Sequence, residues 1–294
     1  MLGVDLGDTI AVAVAVDERG QVLARAEVEA GSDMRVAAVA ALEFVAAARE
    51  GSLGVAALSP DSAATLAAIQ ALASRLPGSL LHHAAVDSGT AAAVAEAWTG
   101  SARDVDNSVY FAVADHAIAG IVRNRLPSTG AHGRAPAIAW LALNPVERED
   151  YRKVGCLQAE VATAGIVRRL VWRIKAGDRS RVQDLVNDDL AAITLEQVLD
   201  AARQGDGVSI SVVRDTAKYL GMAAANLVAI ADPEMLVLGG IMSSAVDLFL
   251  EPVRTEITRR LPRPIMQALA LVPATLGADA AAIGAARLAA AAQP

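Results

Sequence analysis

The stretch GVDLGDTI, Gly3 to Ile10, closes one strand, turns through Gly-Asp-Thr and opens a second. It has the order of a nucleotide-phosphate hairpin, yet Asp8 puts a carboxylate where a phosphate needs bare backbone. The pattern extends outward as a three-stranded meander: LGVDL (2–6), TIAVAVAVD (9–17) and QVLARAEVE (21–29), the last two joined by the turn Asp17-Glu18-Arg19-Gly20. Apolar residues on a 3.6 period predict a helix over MRVAAVAALEFVAAAR (34–49). The strand LGVAAL (53–58), the helix SAATLAAIQALASRL (62–76), a strand around LLHHAAV (80–86) and the helix GTAAAVAEAW (89–98) follow. This alternation is that of a sheet with crossover helices.

A second meander starts at NSVYFAVA (107–114) and AIAGIVRN (117–124), at about the same offset from its start as the first, which predicts two similarly built domains. Beyond it the pattern predicts a strand AIAWLALN (137–144), a long helix from Cys156 to Lys175 and a helix opened by a Thr194-x-x-Gln197 capping box. An amphipathic helix from about Ser209 to Ala231 comes next, then the strand MLVLGG (235–240), a helix through EPVRTEITRRL (251–261), the strand ALALVPA (268–274) and an Ala-rich final helix.

The 294 residues are 54% hydrophobic but only 3% aromatic, so the core is aliphatic and ring platforms for sugars or bases are scarce. A net charge of −7 with a pI near 5.2 supports neither nucleic acid nor anionic membrane as partner. Lysine occurs only at 153, 175 and 218, which leaves few candidates to grip a phosphate. The chain enters strand one without signal-peptide character, and its Ala-rich runs are too interrupted to span a membrane. A single cysteine, Cys156, excludes an internal disulfide and any cysteine-rich metal site. The expectation is a cytoplasmic protein with a small-molecule ligand.

DLGDT near the start, AAAVAEAW (91–98), GAHG (130–133), GCLQAEVATAGIVRR (155–169), DPEMLVLGG (232–240) and VPATLGADAAAIGAA (272–286) together resemble the ROK family of bacterial sugar kinases, open reading frames and repressors. The resemblance covers the whole chain in motif order. It implies an α/β fold of two actin-like (ribonuclease H-like) domains around a central cleft, with sugar and ATP on either side of a catalytic Asp, and a homodimer. The domains are expected at 1–105, with the final helix 278–292 packing back on it, and at 106–277. Because strand one begins at once after Met1, the DNA-binding repressor branch is not expected.

At the chemical positions the resemblance weakens. The family's first phosphate loop, Asp-x-Gly-Gly-Thr-Lys, keeps Asp5, Gly7 and Thr9 here, while Asp8 and Ile10 replace the second Gly and the Lys. A unit charge about 4 Å from phosphate costs about 4 kcal/mol at an effective dielectric near 20. The Gly-rich second loop becomes Ala114-Asp115-His116-Ala117-Ile118-Ala119-Gly120, with Cβ atoms where backbone should meet phosphate. Aligning on Ala91-Ala92-Ala93 puts Ser88 on the catalytic base, with Asp87 one residue early; Asp87 is the candidate base, and the alternative role for both is capping the helix. Gln158 stands at a sugar-binding Glu, Trp140 at a zinc-binding His, and only Cys156 remains of the zinc cysteines, so no zinc site is expected. His132 and the pair His82–His83 have no ligand spacing with it. Gly239 and Gly240 match the adenosine-contacting turn, and are equally suited to ending a buried strand.

Residues that shape the fold are thus kept while those of phosphoryl transfer are replaced. The leading expectation is a catalytically degenerate sugar-kinase-like protein, acting as a small-ligand sensor, regulatory subunit or scaffold. The alternative is an active ATP-dependent, glucokinase-like kinase using Asp87 as base, Asp5 for Mg²⁺ and Gly239–Gly240 at the nucleotide. A third possibility is that Asp5, Asp8, Asp115 and Asp87 converge on a cation, with Asp5, Asp8 and Asp115 as Mg²⁺ ligands, or on an amine-bearing ligand.

Overall fold

The computed structural model describes residues 1–292 except 32, 47–51 and 76–84. In the first meander, β1 (Leu2–Leu6), β2 (Ile10–Val16) and β3 (Val22–Glu29) pair antiparallel in sequence. The turn between β2 and β3 is held by Asp17, whose carboxylate accepts from the Arg19 and Gln21 amides at 2.9 Å each, and Gly20 takes φ +82°. Next come α1 (Met34–Ala46), β4 (Leu53–Ala57), α2 (Ala63–Arg75), β5 (Val86–Asp87) and α3 (Ser88–Trp98). β4 lies parallel to β1 and β5 parallel to β4, giving the sheet order β3-β2-β1-β4-β5. The strand expected over 80–86 falls outside the described residues apart from its last two, and His82–His83 fall outside them too.

The second half repeats the plan. β6 (Ser108–Val113), β7 (Ala117–Arg123) and β8 (Leu126–Pro127) are followed by α4 (Glu149–Val154), α5 (Cys156–Val161), α6 (Thr163–Lys175), α7 (Arg181–Leu185), α8 (Leu195–Arg203) and α9 (Gly207–Ala231). β9 (Met235–Gly240), α10 (Ile241–Ser244), α11 (Val246–Thr258), α12 (Arg263–Ala268), β10 (Ala270–Pro273) and α13 (Ala280–Ala291) complete the chain. The second sheet runs β10-β9-β6-β7-β8, which is the order of the first sheet with every strand advanced by five. The capping box at Thr194 and Gln197 is formed in both directions. Asp206 caps α9 by accepting from the Ser209 amide at 2.9 Å, and Asp232, left-handed at φ 46°, ends that helix before Pro233.

Two expectations are corrected. AIAWLALN is not a strand: Ile138–Trp140 make a 3₁₀ turn, and Leu141 donates its amide to the Ile138 carbonyl at 2.9 Å. Pro136 and Pro145 bracket the run and cannot donate to a ladder, and of its large apolar side chains Trp140 is exposed. The helix expected over 156–175 breaks at Ala162, which is extended between α5 and α6. Arg168 and Arg169 each donate, at 2.8 Å, to the carbonyls of Ala159 and Glu160, so the break leaves those two acceptors satisfied.

The chain divides into two compact units, one of Met1–Tyr110, Ala119–Pro136 and Ala274–Pro294, the other of Phe111–Ile118 and Ala137–Pro273. In this division 119–136 groups with the first unit. The reason is close packing on α3: a Cβ at Gly89 would lie 2.3 Å from the Ala119 carbonyl oxygen. In the first unit Leu2, Val4, Leu6, Leu42, Val55 and Leu72 form an aliphatic core, and α13 packs on α3, β1 and β4. In the second, Phe111, Leu157, Leu170, Leu220, Leu236 and Phe249 are fully buried, with α9 against α11.

Candidate functional site

β1 ends at Leu6, which leaves Asp5 one residue from the strand end, and β5 ends at Asp87 directly before α3. The two parallel strands flank β4, so Asp5 meets the start of α3 across it. The Ser88 hydroxyl donates to Asp5 Oδ1 at 2.7 Å, and Ser88 is 2% exposed. Asp87 is the N-cap of α3: its Oδ1 accepts from the Thr90 amide at 3.0 Å. Of the two roles open to Asp87, the cap is the one its described bonds fill. Burial raises its carboxyl above the usual range, with the amides of Thr90 and Gly89 opposing.

Burial also lifts Asp5 from its ordinary 3.8 to about 6, the Ser88 hydroxyl opposing and the nearby charge of Asp87 adding to the rise. Between those two values the folded chain holds a proton that the unfolded chain has released. Stability therefore falls as pH rises through that window, by at most about 3 kcal/mol. Asp5→Asn should remove this fall, so that urea denaturation of the variant is less pH-dependent than that of the native chain from about pH 4 to pH 7. Equal slopes in the two chains would rule out Asp5 as the group concerned.

The hairpins that the resemblance assigns to phosphate have much of their backbone already engaged. Gly7 donates its amide to the Ile10 carbonyl at 3.0 Å, while Asp8 and Thr9 are exposed at the tip. In the second hairpin Ala114 donates to the His116 carbonyl at 3.0 Å and accepts from the Thr163 amide at 3.0 Å, and Asp115 is exposed. Gln158, expected at a sugar hydroxyl, accepts the Ala117 amide on its side-chain oxygen at 3.2 Å. With three amides spent and Cβ atoms at 114–117, the residues present do not fit a phosphate cradle built from bare backbone.

Gly240 takes φ +61°, and a Cβ there would lie 2.0 Å from the Val113 carbonyl oxygen. Joining β9 to α10 thus requires glycine at that position whether or not a nucleotide approaches; Gly239 is buried in the strand. Cys156 is buried with Tyr151, Ala159 and Leu143, and Trp140 is 57% exposed. Among the described residues no three His, Cys, Asp or Glu side chains are grouped to hold a metal ion. No helix among them is long and apolar enough to cross a membrane.

A buried polar cluster in the second unit is not among the sites expected from the sequence. Glu160, 5% exposed, accepts from the Tyr151 hydroxyl and from Arg148 at 3.1 Å on one oxygen, and from Arg169 at 2.6 Å on the other. Burial and the Glu160 carboxylate push the Tyr151 phenol up to about 12, which keeps it a donor. A carboxylate in α5, followed eight and nine residues later by paired arginines in α6, is the signal that marks it.

A model described as the ROK family matches residues 84–292. A glucokinase of Halalkalibacterium halodurans is 32% identical over 196 residues, covering 66% of this chain and 59% of that protein. A xylose repressor of Caldicellulosiruptor bescii is 31% identical over 176 residues, covering 58% and 42%. The chain thus spans about half the length of the curated relatives it matches. Among solved structures, a ROK family glucokinase from Streptomyces griseus in complex with glucose and AMPPNP superposes with a TM-score of 0.83 at 23% identity, over 98% of each chain. A ROK family transcriptional regulator, a homolog of the E. coli MLC protein, gives 0.80 at 22% identity over 99% of this chain and 77% of that one. These likenesses show the fold, two actin-like α/β domains.

Proposed function

The chain belongs to the ROK family, and from that premise we propose that it is a sugar-kinase-like protein that has lost phosphoryl transfer and serves as a small-ligand sensor, regulatory subunit or scaffold. One observation carries this reading: the residue at the family's base position is Ser88, and its hydroxyl is donated to Asp5, itself a carboxyl with a raised pKa. A serine so placed cannot accept a proton from a substrate hydroxyl at neutral pH, and Asp87 beside it is occupied as a helix cap. The engaged amides of both hairpins support the same reading, since phosphoryl transfer rests on positioning and electrostatic stabilisation. Relatives named as repressors alongside those named as kinases are consistent with a role in sensing. A cytoplasmic homodimer is part of the proposal.

A second reading keeps the kinase. The raised pKa of Asp87 would make it a better general base than an ordinary carboxylate. Asp5, Asp8 and Asp115 would then be the carboxylates available to Mg²⁺, an ion that commonly takes one or two of them and completes its shell with phosphate and water.

Calorimetric titration of Mg·ATP, paired with a coupled assay over a panel of hexoses, separates the two. The expected result is no saturable heat and no transfer. Micromolar binding together with sugar phosphorylation that disappears in Asp87→Asn would overturn the proposal. Asn is the better substitution because it keeps the cap of α3, whereas Ala would remove about 1 kcal/mol of helix stability and confuse the outcome.

A further inference from the structure

The second unit contains a cavity of about 510 Å³ lined by the loop 143–148, α5, α6 and α9, and no candidate site residue from the sequence lines it. Its inner wall is the Glu160 cluster. Arg169 is fixed there by Glu160 and by the Thr216 hydroxyl at 2.9 Å. Arg148 is fixed by Glu160 and by Asp150 at 3.2 Å, and its guanidinium lies 5.1 Å from the Tyr151 ring centre and 5.0 Å from that of Trp172. Both oxygens of Glu160 are spoken for, so a metal cation would first have to displace three donors.

The outer wall is a turn of α9. Lys218 pairs with Asp215 at 2.8 Å, half exposed, with two of its three N–H groups left for a ligand. The Tyr219 hydroxyl accepts from the Asn144 amide at 3.3 Å, and among the described residues it donates to none. Burial and the Glu160 charge raise its pKa, so the phenol remains a donor at neutral pH. Three cations, Arg148, Arg169 and Lys218, therefore face two carboxylates that are already bonded. The cavity has donors and positive charge in excess, against an apolar strip of Leu143, Pro145 and Met222.

We propose that this cavity is a binding site for a small organic anion, a carboxylate or phosphate monoester whose stem packs on Leu143, Pro145 and Met222. Its volume is within the range of small-molecule sites, roughly 300–1,000 Å³. Lys218 and Tyr219 bind the anion, while Glu160 positions the two arginines. The site is independent of Asp5 and Ser88, so it stands or falls separately from the loss of kinase activity.

The test is calorimetric titration of the full chain with inorganic phosphate, citrate and glycerol 3-phosphate, beside Lys218→Ala and Tyr219→Phe. Both substitutions lie at the cavity's outer wall and leave the Glu160 cluster intact. The expected result is saturable binding of at least one anion, weakened about tenfold in each variant. No saturable heat from any of the three below about 10 mM overturns the proposal, as does native affinity in both variants. Sedimentation velocity supplies the remaining contrast: if the variants alter self-association while no anion binds, the cavity is an interface between copies and the proposal fails.

Discussion

Gly284→Val should abolish the native first unit. α13 rests on α3 with its backbone so near that a Cβ at 284 would sit 1.8 Å from the Ala91 carbonyl oxygen and 2.5 Å from its carbon. Both are main-chain atoms of a buried helix and cannot turn aside as a side chain would. The rest of the interface offers no slack: Ala281, Ala282, Ala285 and Ala286 are buried on the same helix, and alanine has no rotamer with which to repack. α13 must lift away from α3, β1 and β4 together. Overpacking usually costs 1–3 kcal/mol, and here the rigid partner raises the expectation to about 4 kcal/mol or more, a large part of the 5–15 kcal/mol typical of a whole domain. Loss of the near-ultraviolet circular dichroism signal, or failure to recover soluble protein, is the expected outcome. A variant melting within a few degrees of the native chain would show that the two helices are not in register as described.

Glu96→Ala should be the next most damaging change, by about 3 kcal/mol. Glu96 lies on α3, is 1% exposed, and gathers the Ser101 amide at 2.7 Å and the Thr275 and Leu276 amides at 3.0 Å each. One carboxylate thus ties the end of α3 to the segment that leads into α13. Alanine leaves three donors without their acceptor, and each buried donor so stranded costs about 1–3 kcal/mol, less where water can reach it. Glu96→Gln keeps one acceptor oxygen but sets an NH₂ group against amide N–H groups, so it should recover only part of the loss. Hydrogen exchange supplies a local readout: the Thr275 and Leu276 amides, which share one carboxylate oxygen, should exchange faster in Glu96→Ala and less so in Glu96→Gln, whose remaining oxygen can accept both. Native stability of Glu96→Ala with unchanged exchange at those two amides would contradict the assignment.

Strong periodicity made much of the fold legible. β1, β2 and β9 have long β-rich runs, α8 carries a capping box, and α9 keeps a 3.6 period over 25 residues. Where alanine dilutes the contrast between faces, the pattern misleads. AIAWLALN alternates well enough to suggest a strand, but its flanking prolines and local turn decide otherwise. The break at Ala162 depends on arginines 6 and 7 residues downstream reaching back to free carbonyls, and no local propensity encodes that. The candidate site was legible as a set of substitutions, though not as geometry. That Ser88 would be bonded to Asp5, 83 residues away, follows from β1 and β5 flanking β4, a tertiary fact. The capping role of Asp87 was open to inspection, since an acidic residue directly before an Ala-rich helix is an ordinary start signal. The Glu160 cluster is harder to read because its members come from three separate segments, α4 with its N-cap, α5 and α6.

The first unit is assembled from three pieces of chain, and the last of them, Ala274–Pro294, contributes the helix that covers β1 and β4. During synthesis the ribosome must make residues 137–273, which belong to the other unit, before that cover exists. At about 5–20 residues per second this leaves the newborn sheet without its lid for roughly 7–27 seconds. Throughout that interval the face of β1 and β4 that carries Gly3 and Gly54 lacks the helix that packs on it, while Leu2, Val4, Leu53 and Val55 on the opposite face already have α1 and α2 to pack against. Slow translation of the middle segment should lower the yield of native protein, even where every residue of the finished fold is unchanged.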